Sequence, residues 1–269
     1  YGLLFMQSYE AFNLFDIELN IFTVKYAVLD KSWKNDNVCS SFTRIYMPVK
    51  GEGFIRVGKQ EIRLLPGNIY IIPASLRFSY KCEDCLEKLF IHMSLKKQDG
   101  YDALSNIGKC LILREKGELV ERIFGLLNEA SIQSLIEFKA ALFQVLMEGL
   151  SQNGVNLGKA TSYPGLVMRA ISYIDRHLSA SLSIRQVCSS LYTSRSTLHK
   201  LFREHLNMSL GRYIDDRILA ECERYLVNTD MSIKEISDKL QFCDQFYFSR
   251  KFSKRYGFSP SAYRKMNNI

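Results

Sequence analysis

Ser183-Ile-Arg-Gln-Val-Cys-Ser-Ser-Leu191 and Ser232-Ile-Lys-Glu-Ile-Ser-Asp-Lys-Leu240 are two copies of one segment, offset by 49 positions (183 to 232). Further on, Leu198-His-Lys-Leu-Phe-Arg203 matches Phe248-Ser-Arg-Lys-Phe-Ser253 at an offset of 50 (198 to 248), which persists at Ser209/Ser259 and Tyr213/Tyr263. The extra residue falls between the matching blocks, where a turn belongs. Two copies of one supersecondary unit are therefore present. Each begins with a Ser at an N-cap position and runs through a short amphipathic helix. A few turn residues follow, then a second helix capped by Ser194 or Asp244. Two short helices joined by a tight turn make a helix-turn-helix, whose second helix lies in the major groove of DNA.

Sidedness agrees. In 194–203, Leu198, Leu201 and Phe202 mark an inner face, leaving Arg195, Ser196, His199, Lys200 and Arg203 outside. In 244–254, Tyr247 or Phe248 and Phe252 face in. Gln245, Phe246, Ser249 and Arg250 project near the start, and Lys251, Lys254 and Arg255 extend a basic surface. Arg and Lys suit guanine O6 and N7, Gln suits adenine, and Phe246 suits a thymine methyl. The formal net charge of the chain is +8. Residues 161–269 hold 17 Lys and Arg against 10 Asp and Glu, so nearly all of that excess lies here, and it points to a polyanion partner. Leu210 to Val227 reads as one uninterrupted helix, about 30 Å long from Ser209 to Asn228 and so close to one turn of B-DNA. It would hold the two reading helices in successive major-groove segments.

The tail Phe242-Cys-Asp-Gln-Phe-Tyr-Phe-Ser-Arg-Lys-Phe252, followed by Arg255-Tyr-Gly-Phe-Ser-Pro-Ser-Ala-Tyr-Arg264, resembles the C-terminal signature of the AraC/XylS transcription regulators. The resemblance covers about 164–267. It departs at the two turns, where Tyr192 and Gln241 replace small residues. It departs also at Cys188 and Ser237, which replace Ala, and at Asn207, which replaces Gly. What the resemblance implies is base reading by Ser196, His199 and Lys200 in the first unit. In the second it implies reading by Gln245, Phe246, Ser249 and Arg250.

The first half has a different grammar. Stretches 42–48, 53–58, 60–65, 69–73 and 86–95 are short, rich in β-branched and aromatic residues, and punctuated by Gly, Pro or Asn. Val57-Gly-Lys-Gln60 and Leu65-Pro-Gly-Asn68 read as hairpin turns. A helical period follows over 115–128 and 132–150. The segment Gly51 to Pro73 resembles the cupin-like sensor barrel common in that family, across about 17–95. The fold expected is thus α+β with two domains. Residues 1–152 would form a cupin-like β-barrel or sandwich with C-terminal helices, for sensing and dimerisation. Residues 153–163 would be a linker, and 164–269 an all-α DNA-binding domain with two helix-turn-helix units on one long helix.

A barrel of this kind holds either a metal or a small molecule. There is no His-x-His, Phe78 stands at the later ligand position, and His92 is the only His in this half. No metal, no cofactor and no cupin enzyme chemistry are expected. The candidate ligand-binding residues are Arg44, Tyr46, Arg56 and Tyr70. An inward Arg44 would favour an anion; an outward one would be a surface residue. Leu135, Ile136, Leu142, Phe143 and Leu146 form either a dimer seam or a face packed on the barrel. The seven Cys are odd in number and scattered, as in reduced cytosolic proteins. No apolar run approaches the ~20 residues of a membrane span.

The leading reading is a sequence-specific bacterial transcription regulator, cytoplasmic and at the nucleoid, and not an enzyme. Its partners would be double-stranded DNA, a small-molecule effector, RNA polymerase and a second copy of the chain. The competing readings are a non-specific architectural DNA binder and a cupin-type enzyme.

Overall fold

The computed structural model describes residues 17–129, 131–158 and 163–267; residues 159–162, within the expected linker, lie outside the described residues. Among the described residues nine strands come first. They are β1 (Ile17–Leu29), β2 (Lys34–Val38), β3 (Thr43–Gly51), β4 (Gly53–Val57), β5 (Gln60–Leu64), β6 (Ile69–Ile72), β7 (Phe78–Lys81), β8 (Leu86–Lys97) and β9 (Leu111–Leu113). They form two antiparallel sheets, one ordered β1-β8-β3-β6-β9 and the other β2-β7-β4-β5. Helices α1 (Gly117–Glu129) and α2 (Ile132–Gln152) follow.

Side-chain alternation along the strands sorts these elements into three layers. On β3, β6 and β8, Ile45, Met47, Ile69, Ile71, Leu89 and Ile91 face α2, where they meet Phe138, Leu142, Val145 and Leu146. Their alternates Tyr46, Tyr70, Ile72 and Phe90 face the other sheet and meet Ile55, Leu64, Phe78 and Tyr80. Each such side chain contributes about 1.5–3 kcal/mol on burial. The expected β-rich unit is present, but no ladder among the described residues joins the two sheets into a closed barrel.

Gly58-Lys59 is the two-residue loop of the β4–β5 hairpin, with Val57 paired to Gln60 and Gly58 at φ 58°. Leu65-Pro-Gly-Asn68 also turns tightly, with Gly67 at φ 75° and the Asn68 N–H donating to the Leu65 carbonyl. It is not a hairpin, however: β5 and β6 belong to different sheets, so this turn carries the chain from one layer to the next.

The remainder is helical: α3 (Gly165–Arg176), α4 (Ile184–Ser190), α5 (Arg195–Leu206), α6 (Leu210–Asn228), α7 (Ile233–Lys239), α8 (Gln245–Tyr256) and α9 (Pro260–Asn267). Ser183, Ser194, Ser209, Ser232 and Asp244 all cap helices through their side chains. Ser183 with Gln186 and Ser232 with Glu235 form full capping boxes. Helix α6 serves two cores. Leu210, Tyr213 and Ile214 join α3, α4 and α5, whereas Ile218, Leu219, Cys222 and Leu226 join α7, α8 and α9.

Tyr192 and Gln241 hold equivalent places in the two turns, and both are left-handed, with φ of 51° and 57°. A residue with a Cβ is strained there by about 1–2 kcal/mol, which glycine relieves while losing more freedom on folding. Tyr192 is almost fully exposed, so its ring contributes little packing. Tyr192→Gly should raise the melting midpoint by about 1–2 °C. Tyr192→Ala, which keeps the Cβ, should give no gain in the same melt; equal gains for both would show that the turn is unstrained.

Candidate nucleic-acid interface

Helix α5 is held by Leu198 and Phe202, both fully buried. That phase leaves Arg195, Ser196, Lys200 and Arg203 exposed and His199 half-buried. Lys200 makes only a 3.8 Å contact with Glu204 at the surface, which restrains it little. The cap at Ser194 accepts from the Thr197 N–H at 3.1 Å and fixes the first turn.

Helix α8 repeats the arrangement. The Asp244 carboxylate accepts from the Tyr247 N–H at 2.6 Å, and backbone hydrogen bonds hold its pKa below the ordinary aspartate value. Phe248, Phe252 and Tyr256 are buried. Gln245 and Ser249 are half-buried at the first two turns, while Phe246, Arg250 and Lys254 are exposed. An aromatic ring left 66% exposed beside Arg250, at the start of a helix, suits contact with base edges better than it suits water.

The sequence also put Lys251 and Arg255 on the outer basic surface. Both instead turn to α6: Lys251 meets Asp215 at 2.5 Å and Arg255 meets Asp216 at 3.6 Å. These pairs fasten α8 to the central helix. Periodicity within α8 could not show them, because the acidic partners lie on another element.

The second half docks on the first through buried polar contacts. Glu223 of α6 accepts from the Ser41 N–H at 2.8 Å and from the Ser41 and Tyr263 hydroxyls. Burial pushes the Glu223 carboxyl above its ordinary pKa, with those hydrogen bonds opposing. Tyr213 donates to the Asp99 carbonyl at 2.9 Å. Arg217 pairs with Asp175 at 2.8 Å and donates to the Gly100 carbonyl.

A narrow cavity opens between the two sheets, lined by Trp33, Arg44, Tyr46, Tyr80, Lys88, Phe90, His92, Met266 and Asn267. Of the four ligand candidates, Arg44 and Tyr46 line it. Arg56 does not: it is exposed and pairs with Asp36 at 3.1 Å. Tyr70 is buried, but its hydroxyl is spent on the β5–β6 turn, donating to the Arg63 carbonyl at 2.8 Å and accepting from the Leu65 N–H. Lys88 and His92 were missed. They alternate with Phe90 on β8, so their strand phase was the available signal, hidden by the apolar run around them.

Arg44 donates to Ser40 Oγ at 2.6 Å, Asn267 Oδ1 at 2.9 Å and His92 Nε2 at 3.1 Å. The last bond makes Nε2 the acceptor and leaves the imidazole proton on Nδ1, which has no hydrogen-bond partner among the described residues. Burial, reinforced by Arg44, pushes both His92 and Lys88 well below their ordinary pKa. Among the described residues no group of His, Cys, Asp and Glu is placed to hold a metal ion, and all seven Cys are free thiols.

The five dimer candidates divide. Leu142 and Leu146 are buried against the five-stranded sheet and cannot face a partner. Leu135, Ile136 and Phe143 are exposed, joined by Ile132 and Met147 on the outer side of α2.

A helix-turn-helix domain family model matches residues 187–266, from α4 to α9. The Msm operon regulatory protein of Streptococcus mutans is 24% identical over 255 residues, spanning 82% of this chain and 83% of that protein. The raffinose operon transcriptional regulatory protein RafR of Pediococcus pentosaceus is 27% identical over 257 residues, spanning 88% and 90%. Among solved structures, unsaturated fatty acid bound wild-type ToxT from Vibrio cholerae superposes with a TM-score of 0.56 at 13% identity, covering 94% of this chain and 96% of that one. That similarity concerns the fold and includes both halves. Two capped helix-turn-helix units on a shared helix, their basic faces outward, together with likeness over most of the chain to operon regulators, place the function at DNA: the chain is similar to DNA-binding transcription regulators of the AraC/XylS type.

Proposed function

We propose that this regulator reads an asymmetric, bipartite DNA site through the exposed residues of α5 and α8, under control of a small molecule held by the β-rich unit. The observation that carries the reading is the paired presentation of two capped, basic helices by one rod. Helix α6 has 19 residues, so it is about 28 Å long, close to the ~34 Å repeat of B-DNA. Arg195, Ser196, His199, Lys200 and Arg203 meet one major-groove segment. Gln245, Phe246, Ser249, Arg250 and Lys254 meet the next.

In this reading residues 1–152 are a cupin-like sensor and dimerisation domain, 153–163 the linker and 164–269 the DNA-binding domain. The protein acts by binding rather than catalysis, in the bacterial cytoplasm at the nucleoid, as an activator that contacts RNA polymerase. Small-molecule control is supported by the inner cavity and by the ToxT fold neighbour, whose structure holds an unsaturated fatty acid. Selection from random duplex DNA near physiological salt tests the core of this reading. Enrichment of two sequence blocks about one helical turn apart is expected. Equal retention of all duplexes, with affinity set by salt alone, would favour an architectural binder instead.

Homodimerisation is supported by the exposed α2 face. Ile132, Ile136, Phe143 and Met147 are 81%, 63%, 42% and 64% exposed on one surface helix. An Ile136→Glu, Phe143→Glu double variant should sediment as a monomer with an unchanged melting profile. A wild-type protein that is already monomeric at micromolar concentration would remove the seam.

A further inference from the structure

We propose that the cavity between the sheets receives an organic carboxylate, its anionic head on Arg44 and Lys88, and that its entry requires the last turn of α9 to withdraw. The proposal rests on the sensor reading above and gives that site a ligand class and a mode of action.

The walls carry the argument. Strand phase brings Arg44 and Tyr46 of β3 opposite His92 and Phe90 of β8, with Lys88 two residues before Phe90. Arg44, Lys88 and His92 are each at least 95% buried. None of the nine residues lining the cavity is a carboxylate. Glu223, a carboxylate whose charge reaches Arg44, is already engaged by Ser41 and Tyr263. Arg44 therefore spends its donors on neutral oxygens and an imidazole, and its Nε has no hydrogen-bond partner among the described residues. The Lys88 ammonium lies over the rings of Tyr46 and Trp33, at 3.4 and 3.9 Å from their centroids. Such contacts recover only part of what a buried cation loses on leaving water. A carboxylate would pair with Arg44, whose guanidinium matches its geometry, and would favour the protonated form of Lys88 that burial and Arg44 oppose. The aromatic walls of Trp33, Tyr46, Tyr80 and Phe90 favour an apolar body behind it.

The remaining space holds no more than about one water. Met266 and Asn267 of α9 fill the rest, and Asn267 Oδ1 sits on Arg44 where the carboxylate head would be. Occupation of the cavity and docking of this turn are then mutually exclusive. A ligand that binds only the undocked state shifts the population toward it. The second helix-turn-helix shares its core with α9, so withdrawal loosens its tie to the sensor.

Trp33 is the only Trp in the chain and lines the cavity, so its emission reports on this site. The full chain would be titrated with hexanoate and with its neutral isostere hexanamide. Hexanoate should change Trp33 emission saturably, with affinity at least about tenfold above that of hexanamide. Lys88→Met and Arg44→Gln should each remove that preference, and Asn267→Ala should tighten hexanoate. In parallel, hexanoate should accelerate amide exchange across α9. Equal binding of both compounds would overturn the carboxylate assignment while leaving the cavity as an effector site. No response of Trp33 to either compound, in wild type and in Asn267→Ala, would overturn both readings. Hexanoate binding with unchanged exchange in α9 would overturn the withdrawal.

Discussion

An Arg250→Ala variant is expected to bind the selected duplex about 5- to 150-fold more weakly, or about 1–3 kcal/mol, and to lose preference at one base position. Arg250 sits one helical turn after Phe246 on the exposed face of α8, so in the proposed complex the two side chains would meet the same stretch of groove. The helix that carries them is fixed by Phe248, Phe252 and Tyr256 in the core and by the Lys251–Asp215 pair. Its reach is therefore set before DNA arrives. Arg203→Ala makes the contrast. A phosphate contact at the end of α5 should weaken all duplexes alike and reduce the slope of log affinity against log salt by about 1. Competition binding of the selected and scrambled duplexes at several salt concentrations separates these effects. Unchanged affinity and preference would take Arg250 out of the interface.

The helical half was legible because its signals are local and repeated. Every cap read from the sequence is a cap in the structure, and the two turns fall where the one-residue change of offset put them. The β-rich half was less so. Strand β2, Lys-Asn-Asp-Asn-Val, is polar, β9 has three residues, and β1 is half-exposed along much of its length, so none shows a clean period-2 pattern. Arg44 and Lys88 are charged residues facing inward, the reverse of what alternation normally teaches. Only the opposing sheet and α9 show why they are dry. The docking contacts join residues about 115 to 225 positions apart, from Asp99 and Tyr213 to Cys39 and Tyr263, and no short window of sequence contains them.

The largest effect expected at that docking surface is from Glu223→Ala. The side chain is fully buried and takes the Ser41 N–H, the Ser41 hydroxyl and the Tyr263 hydroxyl. Removal leaves the Ser41 N–H and hydroxyl without this acceptor beside a new cavity, while the Tyr263 hydroxyl keeps the Cys39 carbonyl and Ser40 as partners, at a cost of about 3–5 kcal/mol. The main thermal transition should fall by about 10 °C. Because the contact joins the helical unit to the β unit, a single transition should also split into two. Glu223→Gln keeps an acceptor for Ser41 and should lose much less. The pH dependence gives a second readout. Burial raises the carboxyl's pKa in the docked state above its ordinary value of 4.5, so that state holds the proton more tightly than the separated one. Its contribution is full below pH about 4.5 and declines as pH rises through the raised value. Melting of wild type should therefore soften from pH 4.5 upward more steeply than that of Glu223→Gln, which has no proton to lose at this site. Parallel pH profiles for the two proteins would show that Glu223 is not the group that ties docking to protonation.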